Sequence, residues 1–260
     1  VWNHSVFSKN RDRLLLHDVA DRFFDAIKGQ AAAKDLLSRD HFTIDGTLIE
    51  ASASLKSFRP KDEAPPNDDK PGSGGGRNEM VDFKGQKRSN ETHESTTDPD
   101  ALLARKGDGK EAKLCYAGHI MTENRHGLIM DAELTPATGT AETDAGLEML
   151  GRLPGLDRKT TGVDKGYDNR RFVEGSRAAN VTPHVAQKKY SSIDGRSTRH
   201  DGYAQSQRRR KLVEERFGWM KEIGGLKKLK HRGLAKVGWI FKFVAAACNV
   251  VMMRRLLAEG

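Results

Sequence analysis

Apolar residues near the start of the chain recur at helical steps. Leu16, Val19, Phe23 and Ile27 fall three or four positions apart, predicting an amphipathic helix between Asn10 and Leu37 with Ser8 or Asn10 as its cap. A second short helix is expected around Ala31 to Leu37. At His41 the period changes. HFTIDGTLIEA carries Phe42, Ile44, Leu48 and Ile49 in a β-prone run that Gly46 could bend or bulge. Asp45 interrupts this run, and an aspartate inside an apolar strand is disfavoured, so it either faces water from an edge strand or has chemistry to do.

From Ser54 to Lys110 the apolar positions thin out. Pro60, Pro65, Pro66, Pro71 and the run PGSGGG mark a long polar loop insertion at about 55–110. Alternation then returns in two strands, Ala112 to Met121 and Gly127 to Leu134, around the turn TENRHG. Leu128, Met130, Ala132 and Leu134 alternate there with Ile129, Asp131 and Glu133, and Asp131 reads as structural. Thr140 to Leu153 is an amphipathic helix with Thr140 as its cap and Leu147, Leu150 and Leu153 inward. A short strand ends at Val163 and Asp164, a helix runs through Phe172 and Val173, and a further strand covers 181–187. A polar connector, Tyr190 to Tyr203, leads into a basic helix over Gln207 to Arg232. The stretch from Val237 to Met253 is the most apolar, yet Lys242 breaks it, and a membrane span needs about twenty apolar residues. It is expected to be a core helix.

Length and composition narrow the reading. A chain of 260 residues with 31% charged side chains is a soluble globular protein of one or two domains. The two cysteines, Cys115 and Cys248, form no Cys-x-x-Cys pair, so neither a disulfide framework nor a zinc site is expected, and a reducing cytoplasmic setting follows. No charged segment followed by an apolar run opens the chain, and it begins at Val1 rather than Met, which suggests truncation. The net charge is +9, with ten Lys or Arg against three Glu between Arg208 and Arg232, a density that favours nucleic acid as partner.

Candidate chemistry centres on that basic helix. At about 100° per residue, Arg210 and Lys221 fall within roughly 40° of Glu214, beside an apolar edge of Val213, Phe217 and Met220. Glu215 lies about 100° further round, where an i, i+4 pair with Lys211 is its natural role. Taken alone, the stripe reads as a salt-bridged surface helix, and Asp164 as a turn residue. Where a strand yields to a loop, however, is the usual station of a catalytic acid in open α/β sheets. In the insertion, Lys56, Arg59, Lys61, Lys84, Lys87 and Arg88 are candidate phosphate contacts, and Asp98 and Asp100 form either a turn or a cation site.

The order of elements, with Asp on the first strand, Asp on the fourth and Glu on a later helix, resembles the ribonuclease-H-like arrangement of the DDE transposases of bacterial insertion sequences. The likeness is closest to the insertion-sequence-five group within the insertion-sequence-four superfamily. It rests on HFTIDGTLIEA with SFRPKD, KRSNETHESTTDPDA, EAKLCYAGHIMTENRHGLI, GVDKGYD, and RKLVEERFGWMK with HRG. The superfamily's helix motif, Tyr, two residues, Arg, three residues, Glu, six residues, Lys, fits Arg210, Glu214 and Lys221, while Gln207 stands in place of the Tyr.

The resemblance implies an α/β, ribonuclease-H-like mixed sheet flanked by helices: a helical segment at 1–40, part of a longer N-terminal region, then a catalytic domain at 41–260. It implies Asp45, Asp164 and Glu214 as catalytic and metal-binding acids, two Mg²⁺ or Mn²⁺ ions, and phosphate contacts from Arg210, Lys221 and Lys165. Double-stranded DNA and a second copy in a synaptic homodimer are the implied partners, with no membrane. Two rivals share the sequence: a DNA-binding protein derived from a transposase, and a nuclease of the same fold without strand transfer.

Overall fold

A computed structural model describes residues 3–61, 88–107 and 109–259. The candidate contacts Lys84 and Lys87 and the run PGSGGG lie outside the described residues.

Two helices come first, α1 (His4–Leu16) and α2 (Val19–Ala33), where the pattern predicts one over most of this stretch. Asn3 caps α1 by accepting from Ser5 N, and Asp18 takes a left-handed turn between the two helices. The inward stripe of α2 is Ala20, Phe24, Ile27 and Ala31 rather than the expected Val19, Phe23 and Ile27. Small alanines let α2 settle on the C-terminal helix, while Phe23 stacks at the margin on Phe243 at 5.3 Å. No separate helix forms over 31–37, since Ala31 to Ala33 are the last turn of α2 and the helix stops there. Asp35, at φ 52°, ends α2, and Leu36 N returns to Ala31 O in a Schellman-type stop.

The main sheet has six strands. β1 (His41–Glu50) is central, antiparallel to β5 (Lys113–Glu123) on one side and parallel to β7 (Lys159–Val163) on the other, with β8 (Val181–Val185) beyond β7. The outer edge of β5 pairs with β4 (Leu102–Ala104) near its start and with β6 (Ile129–Pro136) further along. Gly46 neither bends nor bulges β1, whose register with β5 runs unbroken; the irregularity lies between Met121 and Thr122. The insertion is more ordered than its composition suggests: besides β4, it carries β2 (Phe58–Pro60) paired with β3 (His93–Ser95), pinned by Ser57 Oγ and Ser95 Oγ at 2.7 Å.

Helices cover both faces. On one, α3 (Ala141–Gly151) and α4 (Arg170–Ala178) pack Met149, Leu150, Phe172 and Val173 against Phe42, Ile44, Met121 and Val163. The connector at 190–203 is not wholly irregular: it forms α5 (Gly195–Thr198) and the start of α6 (Asp201–Arg209). The predicted single helix over 207–232 is divided, because α6 stops at Arg209 and α7 (Leu212–Glu222) follows after a tight turn at Arg210 and Lys211. Gly225, at φ 73°, takes the chain out of α7.

On the opposite face, α7 and α8 (Leu234–Glu259) bury Val213, Phe217, Met220, Val237, Phe241 and Ala245 against Ile49, Ile120 and Leu134. A Cβ on Gly118 would stand 2.6 Å from the Phe241 ring, so glycine is what lets α8 lie on β5. Although α8 is long and apolar enough to cross a membrane by length and composition, its buried side chains pack on the sheet and α2, and Lys242 pairs with Asp21 at 2.7 Å.

Several polar residues serve the fold. Asp98 accepts from Tyr116 Oη at 2.7 Å and Gly233 N at 3.1 Å, and Asp100 from Leu234 N at 2.8 Å, so the TTDPD turn holds the first turn of α8. Asp131 and Glu133 bracket Arg152 at 2.7 and 2.6 Å, as the structural reading of Asp131 expects. The mixed, curled sheet between helical layers, with its 6-5-1-7-8 backbone of strands, is ribonuclease-H-like.

Candidate active site

The parallel pairing of β1 with β7 sets two acids side by side. Thr43 stands opposite Gly162, so two steps on, Asp45 comes level with Asp164, just where β7 ends. Alternation along β1 puts Ile44 on the α3 face and Asp45, with Ile49, on the α7 face. Each acid has one oxygen held by a nearby amide: Gly46 N donates to Asp45 Oδ1 at 2.9 Å, and Gly166 N to Asp164 Oδ1 at 2.7 Å. Burial pushes the Asp45 carboxyl up to about 7, and the charges of Asp164 and Glu142 push the same way, against the Gly46 amide and Arg210.

Glu214 reaches this place from α7. Val213, Phe217 and Met220 are buried in the sheet-facing side of the helix, leaving Glu214 on the cleft side, with Arg210 and Lys221. The cleft is about 810 Å³, and Asp45, Asp164, Glu214, Arg210 and Lys221 all line it. The turn at Arg210 and Lys211 keeps helical dihedrals, so the stripe survives the division between α6 and α7. The Lys221 ammonium donates to Thr47 Oγ1 at 2.6 Å and Leu48 O at 3.0 Å, tying α7 to β1. Burial and the neighbouring Lys106 lower its pKa. Glu215 pairs with Arg216 at 3.7 Å rather than with the expected Lys211.

Other sequence candidates are placed elsewhere. Lys165 follows Asp164 but is exposed and does not line the cleft. Lys56 lies in an exposed 3-10 turn, Arg59 in β2 and Arg88 at the resumption of the described chain, all outside the cleft lining. Lys61 donates to Asn90 O at 2.9 Å.

Four lining residues escaped sequence reasoning. Arg105 and Lys106 follow β4, inside the insertion that reads as polar loop, and Asn90 fixes that edge through both hydrogen bonds to Leu103. Glu142 is in the first turn of α3, where an acid has an ordinary reason to be. Its pKa is raised by burial and by Asp164. One signal could have found it: Gly46 and Gly166, each close in sequence to a candidate acid, both leave room for its side chain.

As it stands, no group of three His, Cys, Asp or Glu side chains among the described residues is drawn close enough to grip a metal. The donor set nevertheless fits a hard divalent cation. It is all carboxylate oxygen, and Asp45, Asp164 and Glu142 repel one another in a way a cation would relieve.

A search of curated proteins finds no match to this chain. The family model described as the transposase DDE domain matches residues 37–250, which takes in β1, β7 and α7 together, and the chain belongs to that family.

Proposed function

We propose that the protein is an insertion-sequence transposase of the insertion-sequence-five group, in the insertion-sequence-four superfamily, which cuts DNA at element ends and joins the freed 3′-hydroxyl to target DNA. The observation that supports this reading is Asp45 on β1 level with Asp164 just past the end of the adjacent parallel β7, with Glu214 lining the same cation-bearing cleft. Asp45, Asp164 and Glu214 would hold the metal, with residues 41–260 as the catalytic unit and 1–40 as a helical preface. Divalent cations, two Mg²⁺ or Mn²⁺, supply activation of the attacking oxygen and stabilisation of the leaving one.

The chain's own groups do the rest. The amides of Gly46 and Gly166 each hold one carboxylate oxygen, which fixes the orientation of Asp45 and Asp164 and leaves the other oxygen of each to the metal. Arg210 and Lys221 bracket Glu214 and hold phosphate oxygens, with Lys165, Lys56, Arg59 and Arg88 contacting DNA further out. Burial and the Asp164 charge hold the Asp45 pKa at about 7, and a bound cation would favour its ionised form. The apolar floor of Val213, Phe217 and Met220 keeps the Glu214 backbone fixed against the sheet. A synaptic homodimer acting on double-stranded DNA in the cytoplasm completes the reading.

The test is a supercoiled plasmid carrying the DNA that flanks the coding sequence, incubated with protein and Mg²⁺. Cleavage with a strand-transfer product is the expected result. Cleavage without joining identifies a nuclease of the same fold, and binding without cleavage identifies a transposase-derived binding protein.

A further inference from the structure

Glu142 is the one acid in the cleft without a role. Its neighbour Asp144, also in the first turn of α3, pairs with Arg171 at 2.5 Å, whereas no cation among the described residues pairs with Glu142. An acid at a helix start ordinarily looks out to solvent over the end of the helix. Glu142 instead leans towards Gly46 in the middle of β1 and Gly166 just beyond β7. A Cβ on Gly46 would stand 3.0 Å from Glu142 Cγ and 3.1 Å from Oε1. A Cβ on Gly166 would stand 3.0 Å from Glu142 Oε2 and equally 3.0 Å from Asp164 Oδ1, so those two oxygens lie no further apart than twice that distance. A side chain at either glycine would make the carboxylate give by a few tenths of an ångström.

Two buried polar atoms without partners belong to this region, one beside the Glu142 carboxylate and one within reach of its charge. His119, opposite Gly46 on β5, is fully buried, and its Nε2 bonds Thr135 Oγ1 at 2.9 Å, but its Nδ1 has no partner. That Nδ1 lies 3.2 Å from the same point at Gly46 that Glu142 Oε1 approaches. Tyr167, fully buried against Phe172, has a hydroxyl without a partner, and burial together with the charges of Glu142, Asp45 and Asp164 keeps it protonated. Unsatisfied buried polar atoms are uncommon, and neither of these has a partner within hydrogen-bond reach. A hydrated cation brings water that can bond such atoms.

We propose that Glu142 is a fourth carboxylate of the site, which with Asp45 and Asp164 takes up a hydrated divalent cation before DNA is bound. Glu214, across the cleft, joins that site when substrate arrives. The proposal rests on the metal-dependent reading above, but it differs from it in assigning the DNA-free cation to the α3 side of the sheet.

The experiment is Mn²⁺ titration of the DNA-free protein, with free Mn²⁺ read by electron paramagnetic resonance and folding checked by circular dichroism. Wild type is expected to bind. Glu142→Gln and Asp164→Asn should each weaken binding at least about tenfold. Gly46→Ala, whose added methyl presses on Glu142 and on His119 Nδ1 without altering charge, should weaken binding in the same direction but less than Glu142→Gln, and it supplies the answer if the glutamine variant misfolds. Wild-type Mn²⁺ affinity in Glu142→Gln, or a wild-type protein that binds no Mn²⁺ without DNA, overturns the proposal. If metal-dependent cleavage persists in either case, the transposase reading stands; if wild type also fails to cleave DNA, both fall.

Discussion

Asp45 carries a cost that a bound cation would relieve. Burial and the Asp164 charge raise its pKa from 3.8 to about 7, so the folded protein holds a proton that the unfolded chain releases between those values. Stability contributed by that proton is present at low pH and lost as pH rises through about 7. Asp45→Asn should therefore abolish DNA cleavage yet raise the melting temperature of the metal-free protein. The gap between variant and wild type should widen from about pH 5 to about pH 8.5. A gap that stays flat over that range would contradict the raised pKa. Lys221 combines two tasks at the same scale, because its ammonium both pins α7 to β1 and adds charge to the cleft. Lys221→Ala should lower the slope of log DNA affinity against log salt by up to about one unit. The same change should reduce folding stability by about 1 kcal/mol through the lost hydrogen bonds, measured in urea.

Among elements, the β5–β6 turn shows how much of the fold depends on one polar side chain. Glu123 is fully buried and accepts from the backbone amides of Ser38, Arg125, His126 and Leu128. Arg216 on α7 then reaches the carbonyls of Gly127 and His126, so this turn positions the helix that carries Glu214. Glu123→Ala leaves four amides without an acceptor and should cost at least about 3 kcal/mol in urea denaturation. A loss below about 1 kcal/mol would show that water replaces the carboxylate easily.

None of this is legible in TENRHG, which has the composition of any polar turn. Strands were legible where alternation or an apolar run was strong, as in 41–50 and 113–123. Helix limits were less so: Leu16 matches the expected stripe but is exposed, because Asp18 breaks the helix and the alanines of α2 make the close contact. Asp45 and Asp164 stood out because an acid beside or within a buried strand is costly. Glu142 did not, since a helix start gives any acid a sufficient reason, and Arg105 and Lys106 were hidden among the charges of the insertion.

For the molecule as a whole, the sheet divides the candidate chemistry between two helical layers. Glu214 comes from the α7 side, Glu142 from the α3 side, and the paired strands bring Asp45 and Asp164 between them. The excess positive charge is partly gathered on this cleft through Lys106, Arg210 and Lys221, so DNA affinity should fall steeply with salt. Lys106→Ala should lower the salt slope by up to about one unit without loss of stability; an unchanged slope would place the DNA path away from β4. The most direct test of the central claim is metal-dependent cleavage of end-bearing plasmid by wild type and by Asp45→Asn, Asp164→Asn and Glu214→Gln, each shown to be folded. Loss of cleavage in all three is the expected result. Wild-type cleavage by any one of them would remove that acid from the site and contradict the arrangement proposed for the cleft.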